Sequence, residues 1–546
     1  MKLSIVQNNP TVGSVAENAN SLRHARAQAA RLGADIVVAS ELFVTGYPPE
    51  DLVLKRAFIA RAREVSEALI AQTKDGGPAL VFGAPWVDNG DLYNSVIIAD
   101  AGRAEVRHKV HLPNYAVFDE KRLFRAGPLP MPVELRGHRF GFPICEDVWF
   151  ADVCQHLAEQ GAEMFISPNG SPFQLGKHEQ RLTFARKRCL ENRRPLVYVN
   201  QVGGQDDLVF DGRSFVMNAN GQLVWSAKPW VEDHGMINLV TDFADGQVDP
   251  QVSPFFDMYM AAVMGLRDYV EKNRFPGVLI GLSGGIDSAL CAAMSVDALG
   301  SDRVHCIMLP SAFTSQESLD DAAACAKLLG VRLDTMPIGP LVHSANETLA
   351  PIFEGRPHDL TEENIQSRLR GLLLMAVSNK LGSMVVTTGN KSEVSVGYAT
   401  LYGDMNGGYN PIKDIYKTDV FALARWRNEQ RVSSLKGPHG LVIPEAIITK
   451  APSAELRPDQ KDADSLPPYD VLDGILRALV DHEHGFDEIV AAGYSADIVK
   501  RVEHLLYVSE YKRRQSAPGP KVGPRNFGRD RRYPITNGFR DARLKG

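Results

Sequence analysis

Three residues of this chain could together open an amide bond: Glu41, Lys109 and Cys145. A cysteine thiolate attacks an amide carbon readily. A carboxylate can take the thiol proton and pass it to departing ammonia. A fixed ammonium, helped by the backbone N–H of Glu146, can stabilise the oxyanion. Each of the three stands where a strand is expected to end. Glu41 follows DIVVAS and precedes GYPP, Lys109 lies in HKVHLPNY, and Cys145 follows RFGFPI and opens CEDVW. Strand ends in layered α/β folds are where side chains distant in sequence converge. Taken singly, a cysteine after a strand is ordinarily a small buried hydrophobe, and a lone Glu or Lys is a solvated charge. Spacing alone leaves both readings open.

A second constellation lies at 281–288, GLSGGIDS, between the apolar GVLI and the helical run ALCAAMSVDAL. Gly284 and Gly285 permit a tight strand-to-helix turn whose backbone N–H groups face one point. The helix opened by Ile286 adds its positive end, and Ser283 and Ser288 add hydroxyls. Asp287 repels a phosphate, a conflict that Mg²⁺ between the two resolves. The pattern GxxxxGK[ST] is absent, so this is not a Walker A loop. Farther on, TTGNKSEVSVGYATLYGDMNGG holds Glu393, a second carboxylate for such a metal, and Asp404 in a Gly-rich loop. Lys417, in DIYKTDV, is a candidate phosphate cation.

The elements that must position these groups fall into two sets. Residues 1–245 read as short apolar strands between helices and turns, with strands expected at 36–39, 95–99, 139–144, 164–167 and 196–200. A hairpin is expected over 216–225, turning at Asn220-Gly221. The stretch 241–256, TDFADGQVDPQVSPFF, lacks periodicity and marks a domain boundary. Residues 258–546 then alternate strands at 278–282, 304–309, 332–337 and 384–388 with helices, one of them over 362–380. That alternation predicts a parallel sheet with helices on both faces. Pro143 removes a strand N–H just before Cys145 and raises a question about sheet pairing there.

Composition excludes several classes. At 546 residues the chain exceeds one core. A formal charge of −6 argues against a general nucleic-acid binder. Six cysteines without a CxxC pair give neither a disulfide framework nor a zinc site and fit a reducing compartment. Neither a signal peptide nor a membrane span is expected, so a cytoplasmic, soluble, multidomain protein is. From Lys512 onward eleven Lys or Arg face two Asp, and this basic tail reads either as a nucleic-acid or solvated segment or as one docked near a bound ligand or at a subunit contact.

The stretches SELFVTGYPPEDL, HKVHLPNYAVFDEKRLF and ICEDVW resemble, in order, the three signatures of the nitrilase (carbon–nitrogen hydrolase) superfamily. The resemblance covers roughly residues 1–240 and implies an αββα sandwich. It implies Glu41, Lys109 and Cys145 as catalytic triad, Glu120 as a further acid beside them, and Tyr115, Ser171 and Lys177 as contacts of an L-glutamine substrate. The loop GLSGGIDS resembles the SGGxDS loop of ATP pyrophosphatases, which release pyrophosphate from ATP. Residues 258–546 resemble the NAD⁺ synthetase family with its Rossmann-like parallel sheet. That resemblance implies Glu393 and Asp287 as Mg²⁺ ligands, and Thr388, Lys417 and Ser453 at ATP. It implies Asn364, Arg368, Arg370, Asp404 and Lys512 at deamido-NAD⁺. The basic tail is similar to the end of the glutamine-dependent branch. GMP synthetases carry a different glutaminase fold, and asparagine synthetases need an N-terminal Cys where this chain has Lys2. The expected whole is a glutamine-using ligase, a homo-oligomer, in which ammonia travels by a sheltered route. The rivals are a ligase acting on another carboxylic acid and a non-catalytic binding protein.

Overall fold

Strands that are apolar on both faces dominate the first half of the chain, and such strands must be covered on both sides. A computed structural model describes residues 1–239, 248, 252–458 and 460–541; most of the expected boundary segment 241–256 lies outside them. The chain divides into two compact units, Met1–Val252 and Ser253–Gly546.

In the first unit one six-stranded sheet runs Asp233–Asn238, Lys2–Gln7, Ile36–Val38, Ala79–Asp88, Asp91–Asp100, Arg103–His108. A second runs Leu223–Ser226, Phe215–Met217, Leu196–Asn200, Met164–Asn169, His138–Gly141, Val133–Leu135. Their inner faces share one core: Leu3, Ile5, Ile36, Val38 and Ile98 meet Phe140, Ile166, Val197 and Val216. The intervening residues point outward. Val6, Val37 and Leu80 pack with Leu22, Val65 and Leu69 of the helices Val15–Arg31 and Arg56–Gln72. Phe165, Tyr198 and Phe215 pack with Leu157, Leu182 and Ala185 of the helices Asp152–Glu159 and Lys177–Asn192. The result is an αββα sandwich. The first strand is inserted between the second and the last, and Lys2 sits opposite Asn238.

The expected hairpin is present: Phe215–Met217 pairs antiparallel with Leu223–Ser226. Its turn is held by the Asn218 side chain, which accepts the N–H groups of Asn220 and Gln222. The strand expected at 95–99 is one arm of a longer hairpin, Ala79–Asp88 with Asp91–Asp100. It turns at Asn89-Gly90, both with positive φ. The strand expected at 139–144 is shorter, His138–Gly141. It leaves the ladder before Pro143, so the missing N–H costs no pairing.

The second unit is built on four parallel strands in the order Arg332–Thr335, Val304–Met308, Val278–Gly281, Met384–Val386. One face carries Leu279, Ile307 and Val385 against Leu373, Leu374 and Val377 of the helix Leu360–Leu381. The buried helix Ile286–Leu299 follows the central strand Val278–Gly281 directly. A separate helical cluster joins Val394, Tyr416, Leu472, Ile475, Val499 and Leu506. The basic tail is folded: Arg513, Lys521 and Arg531 are buried. Arg513 pairs with Glu510 at 2.8 Å, Lys521 with Asp530, and Arg531 lies 3.6 Å over the Tyr533 ring. All six cysteines are buried free thiols.

Candidate active sites

Glu41 lies in a turn just past the strand Ile36–Val38. That turn settles onto the neighbouring strand because residue 83 is glycine. A Cβ there would stand 2.1 Å from the Leu42 nitrogen and 2.8 Å from Glu41 Cα. Lys109 follows the strand Arg103–His108, and Cys145 opens a 3₁₀ turn with φ +47°. Lys109 Nζ donates to Glu41 Oε1 at 2.6 Å and to Glu120 Oε1 at 2.9 Å. Glu41 also accepts the Asn94 amide at 2.7 Å and the Gly170 N–H at 2.7 Å. Tyr47 donates its hydroxyl to Glu120 at 2.8 Å.

Burial would by itself lower Lys109. The Glu120 and Glu41 carboxylates outweigh it and hold the ammonium well above its ordinary value. Burial, with Glu41 adding to it, pushes the Cys145 thiol far up, Lys109 opposing. A group so raised rests as a thiol, and attack by its sulfur would require a base to take the proton. Burial raises Glu120 to about 7; Lys109 pulls it down and Glu41 pushes it up.

Asp147 ties two parts of the site together. Its carboxylate accepts the N–H groups of Val110 at 3.1 Å, His111 at 2.8 Å and Ile144 at 2.9 Å. The segment after Lys109 is thereby fixed to the residue before Cys145. Tyr115, half exposed, donates to Glu146 at 2.9 Å. Lys177 opens its helix with the ammonium 4.1 Å over the Trp149 ring. Ser171 is buried deeper: its Oγ accepts from Arg181 at 3.0 Å, and Arg181 pairs with Asp211 at 2.7 Å. Sequence reasoning missed Asn94, Tyr47, Gly83, Asp147 and Gly170. Of these Tyr47, inside the quoted GYPP, and Asp147, inside the quoted CEDVW, stood in view.

In the second unit the loop Ser283–Ser288 lies on a cavity of ≈ 330 Å³, which Thr388, Glu393, Asp404, Lys417, Ser453 and Arg370 also line. Gly284 has φ +81°, and a Cβ there would lie 2.4 Å from the Ser318 carbonyl oxygen. Ser288 Oγ accepts the Ser283 N–H at 3.2 Å and donates to the Gly285 carbonyl at 3.0 Å, closing the loop on itself. Lys417, which opens the helix Lys417–Glu429, pairs with Asp287 and lies 3.2 Å from Glu393 Oε1. Asn390 caps the short helix Lys391–Val396 by accepting the Glu393 N–H at 3.0 Å. Its amide also donates to Asp287 at 2.9 Å. The N-K-S-E capping pattern is the signal that could have found Asn390.

Asp462, also on the cavity, accepts hydroxyls from Tyr469 at 2.8 Å and Tyr398 at 3.3 Å. Burial pushes Glu393 up to about 8; Lys417 pulls it down, while Asp287 and Asp462 push it further up. Two carboxylates thus pair with one ammonium, and the charge of a third, Asp462, acts on them from nearby. Arg370 donates to the Leu309 carbonyl at 2.9 Å, and Asp404 accepts the Thr400 N–H at 2.7 Å. Asn364, Arg368 and Lys512 stand outside the cavity lining. They bond Thr400, the Leu401 carbonyl, and the Gly397 and Ala399 carbonyls, respectively.

Two family models match the chain: Carbon-nitrogen hydrolase over residues 2–242 and NAD synthase over residues 258–516. A Rhodobacter capsulatus protein named glutamine-dependent NAD(+) synthetase is 50% identical over 546 residues, covering 99% of each chain. The solved glutamine-dependent NAD+ synthetase of Acinetobacter baumannii, in complex with ADP, is 42% identical with a TM-score of 0.78 and 99% coverage of both chains. A solved relative of the same description from Cytophaga hutchinsonii, 22% identical with 98% coverage of both, has the same fold at a TM-score of 0.84.

Proposed function

The chain belongs to the family of glutamine-dependent NAD⁺ synthetases, with a nitrilase-type glutaminase domain, and from that premise we propose how its residues divide the work. Its co-substrate is ATP; the amide donor is glutamine and the acceptor deamido-NAD⁺. What carries the reading is the pairing, in one chain, of a buried Glu41–Lys109 contact beside Cys145 with a glycine-rich loop facing Glu393.

In the glutaminase, Glu41 removes the Cys145 proton and the thiolate attacks the glutamine side-chain carbonyl. Lys109 and the Glu146 N–H stabilise the oxyanion. Glu41 returns the proton to the departing nitrogen, ammonia leaves, and a thioester remains. Water, deprotonated by Glu41, then releases glutamate and restores the thiol. Glu120, Tyr115, Ser171 and Lys177 surround the glutamine. Asn94 and Gly170 fix the Glu41 carboxylate, so little reorganisation is needed as charge develops.

In the synthetase, the nicotinate carboxylate displaces pyrophosphate from the α-phosphorus of ATP, and ammonia then displaces AMP. Ser283–Ser288 cradle the phosphates, with Lys417, Thr388 and Ser453 beside them. Asp404, Arg370, Asn364, Arg368 and Lys512 are assigned to deamido-NAD⁺. Asp287 and Glu393 would hold Mg²⁺, which offsets the charge on departing pyrophosphate. The donor set fits: hard oxygens suit a hard cation, and three carboxylates against one ammonium leave positive charge lacking. Among the described residues no group of three or more His, Cys, Asp or Glu could hold a metal alone, so ATP oxygens would complete the ligand set.

A cytoplasmic home is proposed on the six free thiols; no helix among the described residues is long and apolar enough to cross a membrane. A homo-oligomer is proposed because Ile352, Leu360, Leu372 and Leu381 stand exposed on two neighbouring helices. The deciding assay is NAD⁺ formation from deamido-NAD⁺ and ATP with glutamine or ammonium. AMP release with some other acid, and none with deamido-NAD⁺, would overturn the acceptor.

A further inference from the structure

Beyond Lys512 the folded basic tail is given no part in the chemistry above, and the synthase family match ends at residue 516. In the structure the tail returns to the two segments that carry Glu393 and Lys417. The Asn410 N–H donates to the Pro518 carbonyl at 2.8 Å. One oxygen of Asp414 accepts the N–H groups of Val522 at 2.8 Å and Gly523 at 2.7 Å. The other lies 2.9 Å from the ammonium of Lys391. Lys391 has no exposure, reaches Asp481 at 3.0 Å, and donates to the Arg525 carbonyl at 2.7 Å. Gly519 passes so near Asn410 that a Cβ would stand 2.2 Å from its carbonyl oxygen.

Position in the chain gives these contacts their meaning. Lys391 precedes Glu393 by one turn-half on the same short helix, and Asp414 lies just before Lys417. A helix as short as Lys391–Val396 does not hold itself together in water; its geometry comes from what it touches. A buried ammonium is tolerated only with counter-charge, and Lys391 has two aspartates. Removing the tail would leave Asp414 with two fewer donors and Lys391 with one fewer acceptor, beside the proposed ATP site.

We propose that Asp414 and Lys391 are positioning residues for the ATP-dependent reaction, seating residues 518–525 as a brace that fixes Glu393 and Lys417 at the phosphate site. This rests on the assignment of Glu393 and Lys417 to ATP given above. If the brace and the site share one conformation, ATP binding must tighten the brace, because coupling between sites is reciprocal.

The test uses the full chain. Hydrogen exchange at Val522 and Gly523 is followed with and without ATP and Mg²⁺, and is expected to slow about 5-fold or more on binding. Asp414→Asn keeps an acceptor for the tail N–H groups but loses the charge facing Lys391. It is expected to lower kcat for ammonium-driven synthesis by roughly 10- to 10²-fold and to leave glutamine hydrolysis unchanged. A tail that only stabilised the fold would lower the melting temperature of Asp414→Asn while sparing its kcat, and that outcome overturns the proposal. Unchanged exchange in the unmutated protein overturns it too, whether or not the variant folds. Full ammonium-driven activity in Glu393→Ala would instead remove the site assignment, and the brace with it.

Discussion

Nζ of Lys109 lies 2.6 Å from Oε1 of Glu41, and neither side chain has any exposure to solvent. A charge pair in that setting is held in place by its partners rather than by water. Asn94, Gly170 and Glu120 complete the set, while Cys145 remains a thiol until substrate arrives.

Cys145→Ala is expected to abolish glutamine-driven NAD⁺ synthesis and leave ammonium-driven synthesis largely intact, because the thiol serves only ammonia release. Glu41→Gln should cost about 10²–10⁴ in glutamine hydrolysis. Parallel assays with the two nitrogen sources decide this. Loss of both activities in a folded Cys145→Ala protein would take the cysteine out of the glutaminase.

The pH dependence of glutamine hydrolysis should carry the signature of Glu120, raised by burial to about 7. Below that pH Glu120 holds a proton and no longer shares Lys109, so Lys109 leans on Glu41 alone and makes it a weaker base. Hydrolysis should therefore fall as pH drops through about 7. Glu120→Gln, neutral at every pH, should be slow throughout and lack the step. The profile of kcat/KM for glutamine over roughly two units on either side is the measurement. A step that survives in Glu120→Gln belongs to another group.

Asp287→Ala or Glu393→Ala should depress synthesis equally with glutamine and with ammonium, since pyrophosphate leaves before either nitrogen is used. Each removes an oxygen ligand from a cation that requires them. Mg²⁺ titrations of the ammonium-driven rate should show the loss, and normal turnover in either variant would refute the ligand assignment.

Gly284→Ala forces a side chain into a backbone at φ +81° and against the Ser318 carbonyl. The strain is about 1–3 kcal/mol, and the loop must shift to relieve it. The expected result is a raised KM for ATP and a lower melting temperature, with glutamine hydrolysis untouched. An unchanged KM for ATP would show that the loop does not hold the nucleotide.

Ammonia in neutral water is mostly protonated and then no nucleophile, so a sheltered route between the two reactions is proposed. With labelled glutamine and excess unlabelled ammonium, most nitrogen in NAD⁺ should come from glutamine. Deamido-NAD⁺ with ATP should also speed glutamine hydrolysis. A product label that tracks bulk ammonium would disprove the route and leave the two-site assignment standing.

The candidate residues at strand ends were legible because a strand end is visible locally: Glu41, Cys145 and the loop 283–288 follow apolar runs, and Lys109 follows the strand Arg103–His108. Their supports were not. Asn94 is an ordinary strand residue until the Glu41 turn lies over it, and Gly83 matters only through the Glu41–Leu42 backbone that follows the preceding strand. The Asn89-Gly90 turn is readable by its residue types, although the strand before it, ALVFGAPWVD, begins without alternation. Lys417 was expected on phosphate; the structure pairs it with Glu393, 24 residues away, and with Asp287, 130 residues away. Asn364, Arg368 and Lys512 stand outside the lining of the cavity described above, since a helix register shows which residues share a face but not what faces them.

The pairing of Lys2–Gln7 with Asp233–Asn238 has a consequence for biogenesis. The first strand made cannot have both neighbours until the last has left the ribosome, roughly ten to fifty seconds later at ordinary elongation rates. Through that interval one edge of an apolar strand shows open backbone donors and acceptors, the kind of surface that recruits other chains. The nascent glutaminase unit is thus expected to be most prone to association before its final strand emerges, and translational pausing ahead of residue 233 would lengthen the exposure.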